Sequence, residues 1–70
     1  MDMRRLVGRN VRKARLAAGL TQEQLSERSG FTQQYISGLE SGYRNLTIVR
    51  LYELAQALSV TPVQLLQPEK

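Results

Sequence analysis

Threonine and glycine punctuate this chain so regularly that no long element fits anywhere after residue 20. A threonine ahead of an apolar run caps a helix, because its hydroxyl accepts a hydrogen bond from an amide of the first turn. Thr21, Thr32, Thr47 and Thr61 all stand in such places, and Gly30 and Gly42 interrupt the segments between them. Thr21-Gln-Glu-Gln24 reads as a capping box, in which Gln24 reaches back to the cap amide. Thr61-Pro62 puts proline at the first helical position, where its missing N–H is harmless.

The spacing therefore predicts five short helices. Met3, Val7, Val11, Ala14 and Ala18 share a 3.6-residue period, giving a first helix over about 3–18 that ends at Gly19. A second helix runs from Thr21 to just before Gly30, a third over 33–40, closed by Ser41-Gly42. Thr47 opens a fourth along Ile48, Leu51, Leu54, Ala55 and Leu58, and Thr61 a fifth through Leu66. Nothing alternates as a strand does. The expectation is one compact all-α domain over residues 1–70, with connections of only a few residues.

Composition narrows the chemistry. A 70-residue chain buries about 60% of its unfolded surface, so the core is one small cluster. Histidine and cysteine are both absent, which removes the usual zinc ligands, general base and best nucleophile together. Glu23 and Glu27, four apart, are a mildly repulsive surface pair and not a catalytic one. The reading is no enzyme, no metal, no cofactor and no evident small-molecule ligand. No apolar run spans a membrane and MDMRRLVGRN lacks a signal-peptide core, so the expected location is the cytoplasm. The apolar face of the first helix also lacks the Trp, Phe and Leu anchors of a membrane-surface helix. Residues 1–20 hold six basic residues and one acid, against four and five in the rest. That asymmetry suits a polyanion, although Arg5, Arg9 and Arg12 are equally the solvated side of an amphipathic helix.

The second and third helices, separated by about three residues around Gly30, have the spacing of a helix-turn-helix over 21–41. Leu25, Ile36 and Leu39 can meet in the angle, Ser26 is small where the helices approach, and Gly30 tolerates a positive φ. The polar side of the third helix is unusual. It carries Gln33, Gln34, Ser37 and Gly38, with no salt-bridged Lys or Glu. A glutamine amide donates and accepts together, which matches adenine N6 and N7 in the major groove, and small Ser37 and Gly38 permit close approach. These four are the expected base-contacting residues. As ordinary surface, Gly38 would only weaken a helix, by up to about 1 kcal/mol.

Residues 19–45, GLTQEQLSERSGFTQQYISGLESGYRN, resemble the helix-turn-helix family of Cro and the lambdoid phage repressors, the xenobiotic-response-element family of bacterial regulators. The resemblance extends over nearly the whole chain and implies a five-helix DNA-binding domain acting in a bacterial or phage setting. It implies that Gln22 holds a DNA phosphate while Gln33 reads a base, the two bracing one another. It also implies an ion pair between Arg15 and Glu40. A helical wheel places Arg15 at the flank of the apolar stripe, which agrees. Ser26 and Ser29 depart from the family's usual apolar residues, which predicts lower stability. YISGLESGYRNLTI, 35–48, is further similar to the controller proteins of restriction-modification systems.

Thr32, Tyr35, Tyr43, Arg44 and Asn45 flank the third helix and are the expected DNA-backbone contacts, fixing register without reading sequence. Partial burial against the core is the alternative for Tyr35 and Tyr43. One recognition helix reads few base pairs, so a homodimer on half-sites about one helical turn apart is expected. Val49 and Tyr52 beside the fourth helix's stripe, with Val63 and Leu65 on the fifth, are the candidate dimer surface, unless they close the monomer's core. The leading expectation is a homodimeric, sequence-specific regulator of double-stranded DNA. The alternative is a DNA-binding antitoxin or a protein-recruited module, which the short tail Gln67-Pro-Glu-Lys70 disfavours.

Overall fold

In a computed structural model, which describes residues 2–68, all four threonines cap the helices they precede. The helices are α1 (Met3–Ala17), α2 (Gln22–Ser29), α3 (Gln33–Glu40), α4 (Ile48–Leu58) and α5 (Pro62–Leu66). Thr21 Oγ1 accepts from the Gln24 amide at 3.0 Å while Gln24 Oε1 accepts from the Thr21 amide at 2.9 Å, the reciprocal box anticipated. Thr61 and Gln64 repeat it on α5. Thr32 and Thr47 accept from Tyr35 and Arg50. Asp2 caps α1 through the Arg4 amide, a cap the periodicity did not mark.

The helix ends follow the glycines. Gly19 and Gly42 adopt φ of 73° and 82°, and each permits the two reversed hydrogen bonds that close a helix terminus. After α3, the Gly42 amide donates to Leu39 and the Tyr43 amide to Gly38. Helix α1 stops at Ala17, with Ala18 as its cap.

Helix α1 packs on α3 and α5, α2 on α3 and α4, and α4 on α5. The core joins Val7 and Val11, Leu25, Ile36 and Leu39, Leu54, Ala55 and Leu58, and Leu65. Two differences from the expected α1 stripe stand out. Met3 and Ala18, at its ends, are exposed, while Leu6 and Asn10 turn inward. Leu65 is only 1% exposed, so it closes the monomer's core and offers no surface to a second copy, contrary to its place in the expected dimer surface. The cause is the length of α5: five residues make little more than one turn, so its single inward position falls on Leu65. Asn10 then ties the end of α5 to α1, its Nδ2 donating to the carbonyls of Leu65 at 2.9 Å and Gln67 at 2.8 Å. Glu69 and Lys70, the end of the tail considered above, lie outside the described residues.

No described helix is long and apolar enough to cross a membrane.

Candidate nucleic-acid interface

The turn between α2 and α3 is built from its own side chains. Gly30 takes φ of 81°, which an L side chain adopts only with strain. The Ser26 hydroxyl donates to the Phe31 carbonyl, and Ser29 Oγ accepts from the Phe31 amide at 3.2 Å. The two serines expected to weaken the motif thus satisfy the backbone N–H and C=O of one turn residue, Phe31, which apolar residues would leave to water. Leu25, Ile36 and Leu39 are buried in the angle, so the apolar side of α3 faces α1 and α2.

That leaves Gln33, Gln34 and Ser37 exposed on the outer side of α3. These groups can donate and accept without a charge to hold a partner away. Gly38 behaves differently from its expected role. A Cβ built there would lie 2.8 Å from Arg44 Cγ, so the space above the glycine is filled by the Arg44 side chain and is not bare helix. Gly38 is a seat for Arg44.

Arg44 also lies over the Tyr35 ring, its Cζ 5.7 Å from the centroid, and Arg50 from α4 lies over the same ring at 5.3 Å. Both distances fall within cation–π range. Tyr35 is held on its other sides: its hydroxyl donates to the Asn45 carbonyl at 3.1 Å and its ring meets Phe31 edge-on at 5.4 Å. It is half-buried, as the alternative of partial burial against the core has it. Tyr43, by contrast, is 82% exposed and does not join the core. Thr32, at the start of α3, and Arg44 and Asn45, after its end, are exposed as well. Arg50 escaped the sequence reading. Its only signal was a lone cation in the apolar run Ile48-Val49-Arg50-Leu51.

Beneath α3, Arg15 and Glu40 form the implied ion pair. Arg15 Nε donates to Glu40 Oε2 at 2.7 Å and Nη2 to Oε1 at 3.0 Å, a bidentate fork, while Nη1 donates to the Leu20 carbonyl at 2.8 Å. Both side chains are nearly inaccessible to water. The hydrogen bonds to Glu40 raise the Arg15 pKa above its usual value, against an opposing effect of burial. Gln22 reaches the same carboxylate, Nε2 to Oε1 at 3.3 Å. Gln22 and Gln33 line one surface hollow with Thr21 and Glu23. The expected brace between those two glutamines is absent among the described contacts, because Glu40, a charged acceptor, holds the Gln22 amide.

A family model described as helix-turn-helix matches residues 11–65. The chain belongs to this helix-turn-helix family. It is 59% identical over 68 residues to the uncharacterized HTH-type transcriptional regulator y4dJ of Sinorhizobium fredii, covering 97% of this chain and 88% of that one. It is 41% identical over 66 residues to the control protein C.SmaI of Serratia marcescens, covering 94% of this chain and 79% of that one. Among solved structures it is similar to the restriction-modification controller protein C.AhdI of Aeromonas hydrophila. That match has a TM-score of 0.84 and 39% identity, over 89% of this chain and 94% of the controller. The helix-turn-helix family and these relatives are transcriptional regulators, not enzymes, and the chain carries their DNA-binding fold.

Proposed function

We propose that this helix-turn-helix protein is a homodimeric, sequence-specific regulator that sets α3 in the major groove at each half of a two-fold symmetric operator. The observation that carries the reading is the division of α3: Ile36 and Leu39 are buried, while the uncharged donors and acceptors of Gln33, Gln34 and Ser37 face outward. Such a face approaches base edges without a desolvated charge, and each bidentate amide pair discriminates a base by about 1–3 kcal/mol. Gln22, Thr32, Tyr35, Tyr43, Arg44 and Asn45 contact the backbone around it and fix register. The second copy docks on Val49, Tyr52 and Val63, which are 66%, 53% and 62% exposed and exceed what the monomer's core accommodates. The similarity to restriction-modification controllers supports a regulator whose genes lie in such a system.

Selection of bound duplexes from a randomised pool at physiological salt, followed by sequencing, tests this. Enrichment of an inverted repeat with half-sites about one turn apart is the expected result. Salt-sensitive binding with no enriched sequence overturns operator recognition and brings a protein-recruited module forward. Sedimentation of Val49→Glu and Val63→Glu variants reports the dimer: both shift the chain to monomer if α4 and α5 form the interface.

A further inference from the structure

Two guanidinium groups converge on Tyr35 from different elements, Arg44 from the loop after α3 and Arg50 from the first turn of α4. Like charges brought to one ring repel unless an anion lies between or beside them. Among the described residues, no carboxylate lies within ion-pair distance of either. Glu40 is held by Arg15 and Gln22, Asp2 is paired with Arg4, and Glu53 lines a different hollow with Arg28, Ser29 and Gln56. The ring itself supplies only a weak attraction, on the order of 0.5–1 kcal/mol at an exposed site, yet it is fixed by Asn45 and Phe31. A rigid aromatic plate that orients two unneutralised forks, at the edge of the proposed reading helix, is built for an external anion with several acceptor oxygens.

We propose that Arg50 joins Arg44 on Tyr35 as a two-guanidinium seat for the phosphodiester backbone of one DNA strand. The seat rests on the proposed mode of DNA binding and adds a residue to it. Arg50 takes the same phosphate as Arg44 or its neighbour on that strand. Guanidinium suits the task because it presents planar paired donors and stacks on an aromatic face, which an ammonium does not do as well.

The experiment measures affinity against salt for the wild type, Arg50→Ala, Arg50→Lys and Arg44→Ala. Each binds the selected operator and an unrelated duplex, with melting temperatures recorded. Arg50→Ala is expected to melt like the wild type, to bind both duplexes about 10-fold more weakly, and to flatten the salt slope by roughly 0.9. Arg50→Lys keeps most of the slope but loses affinity, because it keeps charge without the fork. A second measurement replaces the operator phosphates one at a time with uncharged methylphosphonate. Among the positions that weaken the wild type, one or two adjacent ones lose all or part of that weakening in Arg50→Ala.

An unchanged slope and an unchanged methylphosphonate map for Arg50→Ala overturn the seat while leaving operator recognition standing. If no operator is selected, Arg50→Ala is read on the unrelated duplex. A flattened slope there keeps the seat and discards only sequence readout, and an unaltered slope discards both.

Discussion

Gly8 on α1 lies directly against the Leu39 carbonyl of α3, so closely that a Cβ at residue 8 would fall 2.1 Å from that oxygen. The obstacle is backbone on both sides, with the Glu40 carbonyl 3.2 Å away as well. A side chain can rotate aside, but two packed helices must separate. Gly8→Ala is therefore expected to destabilise by about 3 kcal/mol, the upper end of overpacking costs, even though alanine favours helix. Thermal unfolding checks this, with a fall in Tm of roughly 12–24 °C for a domain of this size. An unchanged Tm would show that α1 and α3 do not approach so closely in solution.

Arg15→Ala removes one partner of a nearly water-excluded pair and strands Glu40, with a cost on the order of 3–5 kcal/mol. Operator affinity measured well below the lowered Tm should change much less. The pH dependence follows from the raised Arg15 pKa. A cation whose folded pKa exceeds its unfolded value contributes fully below the unfolded value, and the contribution is lost only as pH rises through the folded pKa, far above neutrality for a guanidinium. Between about pH 6 and 9 the contribution of Arg15 is constant. With no histidine in the chain, the wild-type Tm should be nearly flat over that window. A midpoint near neutrality would point to a titrating group outside this account.

Asn10→Leu keeps the branched heavy-atom shape of the side chain but withdraws both donors from the Leu65 and Gln67 carbonyls. The acceptors left behind cost about 1–3 kcal/mol, and the effect should concentrate on α5. Hydrogen exchange of the α5 amides, faster in the variant while α2 and α3 change little, is the diagnostic reading. Uniform loss of protection would mean that α5 is no separate unit.

The punctuation was legible because caps and positive-φ glycines act within a few residues of sequence. Thr21, Thr32, Thr47, Thr61, Gly30 and Gly42 all did what local chemistry requires. The Arg15–Glu40 pair was legible for another reason, an arginine at the border of an apolar stripe together with the family resemblance. Gly8, Asn10 and Arg50 were not legible. Each acts through a partner distant in sequence, 31 residues from Gly8 to Leu39, 55 from Asn10 to Leu65 and 15 from Arg50 to Tyr35, and no local rule carries that information. The bonding roles of Ser26 and Ser29 were not legible either, since only the folded turn brings the Phe31 N–H and C=O to them. Leu65 was misassigned because periodicity identifies an apolar residue on α5 without saying which neighbour covers it.

Base readout and backbone attachment should separate by mutation. Gln34→Ala is expected to change the preferred sequence at one position of each half-site, by about 1–3 kcal/mol against the best base. Arg44→Ala should weaken all sequences about equally and flatten the salt slope by roughly one unit. Repeating the duplex selection with both variants distinguishes them. Equal losses on every sequence for Gln34→Ala would remove that residue from the reading surface.

Gly38 and Gly8 are both helical glycines under close contact, yet their alanine variants should move in opposite directions. At Gly38 the atom in the way is Arg44 Cγ at 2.8 Å, part of a flexible side chain on an exposed residue, and it can swing aside. Replacing a mid-helix glycine by alanine then gains about 0.5–1 kcal/mol of helix stability. The displaced Arg44 loses its position over Tyr35, so DNA affinity should fall toward that of Arg44→Ala and the salt slope should flatten with it. A variant that is as stable as the wild type or more so, yet binds more weakly on every sequence, identifies residue 38 as the seat of a backbone contact. If the loss instead falls on particular bases, residue 38 itself faces the groove, and Arg44 has room elsewhere to reach its phosphate.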